Sequence, residues 1–172
     1  VGLAAIQVAN RIGAVPVALT RTAAKADLLR EAGAAHVIVT GEADPTAEVR
    51  RNTAGAGGRA VLEPVGGPGF AHLAAVTAER GTIIVYGALD SHATPLPVGD
   101  VLGRSLTIRG YLIFEATQDD ARLAAAKAFV LDGLASGALR PRIDRIFPFD
   151  AIADAHRHLE ANGQIGKIVV TI

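Results

Sequence analysis

The chain has 172 residues, half of them hydrophobic and a fifth charged, with 17 basic residues balancing 17 acidic ones. That balance excludes intrinsic disorder, which needs low hydrophobicity and high net charge, and supplies no basic excess for a nucleic-acid surface. No apolar run reaches the ~20 residues of a membrane span, and the lack of cysteine excludes disulfides, thiolate metal sites and cysteine nucleophiles from this segment. No signal peptide is visible, and the composition points to the cytoplasm. Residue 1 is Val and the chain holds no Met, so the segment is expected to be processed or incomplete.

Residues 3–12 (LAAIQVANRI) carry Leu3, Ile6 and Ala9 at helical spacing, with Gly13 as a stop. The apolar run 15–19 (VPVAL) reads as a buried strand. Thr22 is placed to cap a helix running to Ala32, with Leu28, Leu29 and Ala32 inward and Gly33 beyond its end. A strand at 36–39, a helix at 45–54, a strand at 60–63 and a glycine loop at 66–69 follow. Phe70, Leu73 and Val76 predict a helix over 70–79, and 81–86 (GTIIVY) is the strongest strand signal. Alternation of this kind means a parallel sheet with crossover helices, a doubly wound α/β fold. Two prolines mark 90–98 as a loop, and 105–110 (SLTIRG) reads as a sixth strand. Asp119 or Asp120 opens a helix to about Ser136, with Leu123, Ala126, Val130 and Leu134 inward; strands at 143–147 and 167–172 then flank a helix at 150–161. The first helix opens at residue 2 with no strand before it, whereas in a nucleotide-binding βαβ unit the central strand precedes the glycine-rich turn. The expected architecture is therefore a Rossmann-type sheet lacking its first strand, with the segment beginning inside that turn. Residues 1–138 form the dinucleotide-binding domain and 139–172 a C-terminal segment.

The candidate chemistry lies at strand ends. Gly2 stands at a helix N-terminus, where a bare backbone and free N–H groups favour a pyrophosphate. The residue ending the strand at 15–19 meets the adenosine ribose. A carboxylate there accepts from the 2′-hydroxyl of NAD, whereas an Arg accommodates the 2′-phosphate of NADP. This chain has Thr20-Arg21-Thr22 with Lys25 one turn on, and no carboxylate before Asp27. The 19 residues from Gly2 to Arg21 match the ~20 expected for that contact. Gly66, with Gly67, follows one strand and Gly87-Ala88-Leu89 another, on the side where open α/β sheets bind ligands. Tyr111 ends the sixth strand and is placed to line a pocket, whereas Tyr86 reads as core. His156 and His158 are two apart and diverge on a helix, and His36, His72 and His92 are scattered, so no metal site is expected. No G-x-S-x-G appears, and hydrolase chemistry has no support.

The ordered pieces VGLAAIQVANRIGA, LLREAGAAHVI, LEPVGG, RGTIIVYGAL, SLTIRGY, ASGALRPRIDRIFPFD, AHRHLE and GKIVVTI resemble the cofactor-binding half of medium-chain dehydrogenases/reductases. The resemblance is strongest to the quinone oxidoreductase (zeta-crystallin-like) branch, often labelled zinc-type alcohol dehydrogenase. It implies a GroES-like catalytic domain outside these residues, onto which 139–172 packs. By the same resemblance Gly2 carries over to the pyrophosphate turn, and Arg21, Thr22 and Lys25 to the 2′-phosphate region. Gly66, Gly87, Ala88 and Leu89 carry over to loops along the cofactor, and Tyr111, Leu112 and Ile113 to the stretch near nicotinamide. The implied activity is an NADP(H)-dependent reduction of a quinone, enone or other activated carbonyl or alkene, on a small electrophilic substrate. No catalytic acid is assigned within the segment, and zinc ligands of metal-using relatives lie largely in the other domain. The alternatives are zinc-type alcohol dehydrogenase chemistry and a non-enzymatic, crystallin-like NADPH-binding protein. The residues at 105–110 form a sheet edge, for which a homodimer joining two such edges is expected. No nucleic-acid or membrane partner is expected.

Overall fold

A computed structural model of the chain describes residues 1–161 and 163–172. Helix and strand alternate from the start: α1 (Gly2–Arg11), β1 (Val17–Thr20), α2 (Ala26–Glu31), β2 (His36–Val39), α3 (Pro45–Asn52), β3 (Gly58–Glu63), α4 (Phe70–Val76) and β4 (Thr77–Val85). There follow α5 (Val98–Gly103), β5 (Thr107–Gly110), α6 (Phe114–Thr117), α7 (Asp120–Ala135), β6 (Ile143–Pro148), α8 (Ile152–Glu160) and β7 (Lys167–Thr171). Local chemistry sets several boundaries. The Asp44 carboxylate accepts from the Thr46 and Ala47 amides at 3.0 and 3.3 Å, and Pro45 opens α3 without losing a hydrogen bond. Asp119 caps α7 in the same way, accepting from Ala121 and Arg122.

Every strand pair is parallel. β1 pairs with β2, from Val17↔His36 to Thr20↔Val39. β4 lies between β3 and β5, with Ala60↔Thr82 on one side and Thr82↔Thr107 on the other. β6 and β7 form a third, two-stranded sheet. Among the described residues β1 and β3 are not hydrogen-bonded, so the doubly wound sheet stands as two blocks, β1–β2 and β3–β4–β5. Their link is apolar: Ile38 of β2, Val49 of α3 and Val76 of α4 pack together, with Val17 of β1 against them. A second cluster joins Phe70 and Ala74 of α4 to Ile83 of β4, flanked by Val61, Val85 and Leu106.

Four expectations change. The helix expected over 70–79 ends at Val76, because Arg104 donates to the Ala75 and Thr77 carbonyls and Thr77 Oγ1 donates to Leu73 O at 2.6 Å. β4 therefore starts at Thr77, and Arg80, at φ 57°, turns the strand before its apolar half. Thr22 precedes a 3-10 turn at Ala23–Lys25, but its side chain caps nothing; instead Thr20 Oγ1 donates to the Thr22 carbonyl at 3.2 Å. The short α5 went unforeseen, and Val98, assigned to a loop, begins it. Finally, Ala126, Val130 and Leu134 of α7 are exposed rather than inward. α7 instead meets α1 through Arg11, whose guanidinium lies 4.1 Å from the Phe129 ring centroid and 2.5 Å from Asp132, beside the buried Gly133. A guanidinium, rather than an apolar side chain, fills that contact.

Ile83 is 0 % exposed at the middle of the three-stranded block. Ile83→Ala is expected to cost about 2–5 kcal/mol, the range for a large aliphatic truncated in a packed core. Urea unfolding that gave under 1 kcal/mol would show that β4 does not carry the core.

Candidate functional site

Parallel strands of one sheet end on one side, and ligands of open α/β sheets bind there. At the end of β1, Thr20 O accepts from the Thr40 amide at 2.8 Å, so the chain leaving β2 lies alongside. Gly41 fits against this backbone closely enough that a Cβ would stand 2.8 Å from Arg21 O. Arg21 is thereby fixed through its main chain, while its side chain is exposed and, among the described residues, has no ion-pair partner. Thr22 is exposed beside it. Lys25 is half-buried and donates from Nζ to Gln164 O at 3.5 Å, which ties it to the chain entering β7.

The ends of β3, β4 and β5 form a second group. The ladder continues beyond the strands: Tyr86 N donates to Glu63 O at 3.0 Å, Leu89 N to Pro64 O at 3.3 Å, and Asp90 N to Val65 O at 2.8 Å. Tyr111 N donates to Val85 O at 2.9 Å on the far side. Gly87 is required by this closeness, since a Cβ there would stand 2.6 Å from Pro64 O. Gly66, at φ +72°, turns the chain back beneath it. Ala88, Leu89 (79 % exposed), Leu112 and Ile113 leave an apolar rim open to solvent. The fold thus gathers Gly66, Gly87, Ala88, Leu89 and Tyr111 along one edge. Gly2 opens α1 with clear space around it, and no recorded hydrogen bond or ion pair of the described residues joins it to Arg21 or to the glycine loops.

Three residues that hold this edge escaped the sequence reading. Glu63, 5 % exposed, folds its carboxylate onto the amides of Val65 and Gly66, the latter at 2.7 Å. Thr94 Oγ1 accepts from Gly67 N at 2.8 Å. Asp90 accepts from the His92 amide and ring Nδ1 at 2.8 and 2.7 Å, and these bonds hold its carboxyl below the usual carboxylate range. Glu63 had a local signal, an acid directly before Pro-Val-Gly-Gly. Thr94 had none, being 27 residues from the amide it satisfies. Tyr86 is half-buried rather than core; burial, with Glu63 nearby, raises its hydroxyl above the usual value and keeps it a neutral phenol.

The first 129 residues match the family model described as zinc-binding dehydrogenase. A synaptic vesicle membrane protein VAT-1 homolog of Rattus norvegicus is 25% identical over 99% of this chain and 46% of its own length. The 2-haloacrylate reductase of a Burkholderia sp is 26% identical over 94% of this chain and 49% of its own. The chain therefore spans about half the length of these curated relatives. Among solved structures, an NAD-dependent alcohol dehydrogenase superposes with a TM-score of 0.87 at 29% identity, covering 99% of this chain and 47% of that one. A mycobacterial protein in complex with NADPH superposes with a TM-score of 0.87 at 28% identity, covering 99% and 54%.

Glu63→Ala removes a buried acceptor from two amides and is expected to cost about 1–3 kcal/mol. Hydrogen exchange at Val65 and Gly66 should accelerate well before the β4 core does. Unchanged protection at these two amides would mean that the loop holds without the carboxylate.

Proposed function

Because the chain belongs to the zinc-binding dehydrogenase family, we propose that it is the cofactor-holding part of an NADPH-dependent reductase of quinones, enones or other electron-poor carbonyls and alkenes. The observation that carries this reading is Arg21: an exposed guanidinium at the end of β1, with no ion-pair partner among the described residues and no carboxylate beside it in the chain. A guanidinium offers a planar fork of donors that suits a phosphate and repels nothing about it. A similar fold in complex with NADPH supports the cofactor, and a 2-haloacrylate reductase among the relatives supports an activated alkene as substrate.

The bound cofactor supplies the hydride. The residues of this chain position it. Arg21 and Thr22 hold the 2′-phosphate, with Lys25 adding charge from the next turn. The N-terminal amides of α1, opened by Gly2, face the pyrophosphate. Gly66 and Gly87 would let the backbone approach the nucleoside, and Ala88, Leu89, Tyr111, Leu112 and Ile113 would offer the nicotinamide an apolar rim that its binding covers. Among the described residues, no three His, Asp or Glu side chains converge to hold a metal ion. In the whole protein, residues 1–138 form the dinucleotide domain, and 139–172 pack toward a catalytic domain. The exposed Ile143, Ile146 and Phe149 around β6 suit such a contact.

NADPH is expected to bind much better than NADH in calorimetry on the full-length protein. Arg21→Ala should lose about 1.5–3 kcal/mol of NADPH binding, the size of a hydrogen bond to a charged group, with NADH little changed. A preference for NADH untouched by the substitution would move the reading to an NAD-dependent dehydrogenase. Turnover of a quinone or enone separates an enzyme from a protein that only binds the nucleotide.

The same reading assigns a homodimer through β5. Its four residues are exposed, and among the described residues only β4 pairs with it. Unpaired edges of this kind invite a second strand. Sedimentation should show a dimer at micromolar concentration, and a monomer there would remove the assignment.

A further inference from the structure

At the opposite end of β3 and β4 from the glycine loops lies a cleft of about 850 Å³ that the cofactor reading does not use. Its lining comes from the turn before β3, the chain leaving α4, the start of β4 and the end of α5. Two features set it apart from an ordinary surface hollow.

The first is a floor of bare backbone. A Cβ on Gly57 would stand 2.6 Å from Val76 O, and one on Gly81 would stand 2.6 Å from Thr77 Cγ2 and 2.9 Å from Ala78 O. Neither position accepts a side chain, because the turn before β3 and the first half of β4 pack backbone to backbone there, which fixes the wall of the hollow.

The second is charge. Four arginines are among the residues that line the cleft, from separate parts of the chain: Arg50 of α3, Arg59 of β3, Arg80 of β4 and Arg104 after α5. Glu79 is the one carboxylate in the lining, 4.0 Å from Arg80, which is 83 % exposed at its side chain. Arg104 is anchored on the Ala75 and Thr77 carbonyls, with Asp100 3.7 Å away. Arg50 and Arg59 are exposed and have no ion-pair partner among the described residues. The whole chain is neutral, with 17 basic and 17 acidic residues, so this is a local concentration rather than a basic background. Like charges gathered around a concave wall repel one another and focus a positive field into it. A multivalent anion relieves that repulsion, and the planar guanidinium fork matches phosphate oxygens two at a time.

We propose that this cleft binds a small anion carrying two or more linked phosphate groups, at a site separate from the cofactor edge by the length of β4. The shared chemistry is a polyphosphate chain, whether free or carried by a nucleoside. Arg50 and Arg59 would be the adjustable arms and Arg104 the fixed one.

The test is calorimetric titration of the full-length protein with sodium tripolyphosphate at 0.15 M ionic strength, a salt level that screens exposed charges beyond roughly 8 Å. Saturable one-site binding is expected, weakened at least tenfold in the Arg50→Ala/Arg59→Ala double variant and unchanged in Arg21→Ala. Both substituted side chains are exposed, so the double variant should keep the wild-type melting temperature and NADPH affinity. A parallel titration with ATP identifies the source: tighter binding than tripolyphosphate means a nucleoside phosphate, and equal binding means the free chain. Absence of saturation, an unaffected double variant, or displacement of tripolyphosphate by NADPH would each overturn the proposal. Loss of NADPH binding in Arg21→Ala with the cleft intact would leave the two sites independent, as proposed.

Discussion

Parallel pairing is the constraint on which the molecule depends. Parallel strands cannot be joined by a tight turn, so each return must cross the face of the sheet, usually as a helix. In this chain α3 and α4 make those returns around β2, β3 and β4, and they supply Val49, Phe70, Ala74 and Val76 to the cores against Ile38 and Ile83. The same pairing sends the carboxyl ends of β3, β4 and β5 to one side and their amino ends to the other. Glycine loops, the buried Glu63 and the apolar rim collect at the first end, and arginines collect at the second. A neutral chain thus acquires two poles of different chemistry without any net charge.

Periodicity reported what burial pays for. Strands at 36–39 and 81–86 and the helix at 45–54 were legible because a continuous apolar run or a capped, spaced pattern must be buried to be stable. The failures share a physical origin, which is partners distant in sequence. The α4 terminus is decided by Arg104, 27 residues beyond Thr77, and no local pattern announces that donation. α7 has helical spacing of Leu123, Ala126, Val130 and Leu134, yet the face that packs is chosen by Arg11, from the far end of the chain. Short α5, with glycines at positions 99 and 103, carries too little periodicity to be seen.

The candidate site divides in the same way. Arg21 and the glycines could be singled out as candidates because residue type and spacing bear directly on a phosphate or on close backbone approach. The supports were not. A carboxylate that satisfies amides of its own loop can be suspected from sequence, as with Glu63, but Thr94 acquires its role only when the chain brings it back to Gly67. Candidate positions and the positions that hold them in place are thus legible to different degrees.

Surface loops ordinarily tolerate insertions, because few of their backbone groups are committed. The stretch between β4 and α5 is an exception. Its amides at Leu89 and Asp90 are spent on Pro64 and Val65, and its hydroxyl at Thr94 is spent on Gly67. One residue added between Asp90 and Thr94 would not be absorbed locally. It would move an acceptor out of register with a glycine turn far upstream, so the length of this loop, more than its composition, is what the turn depends on.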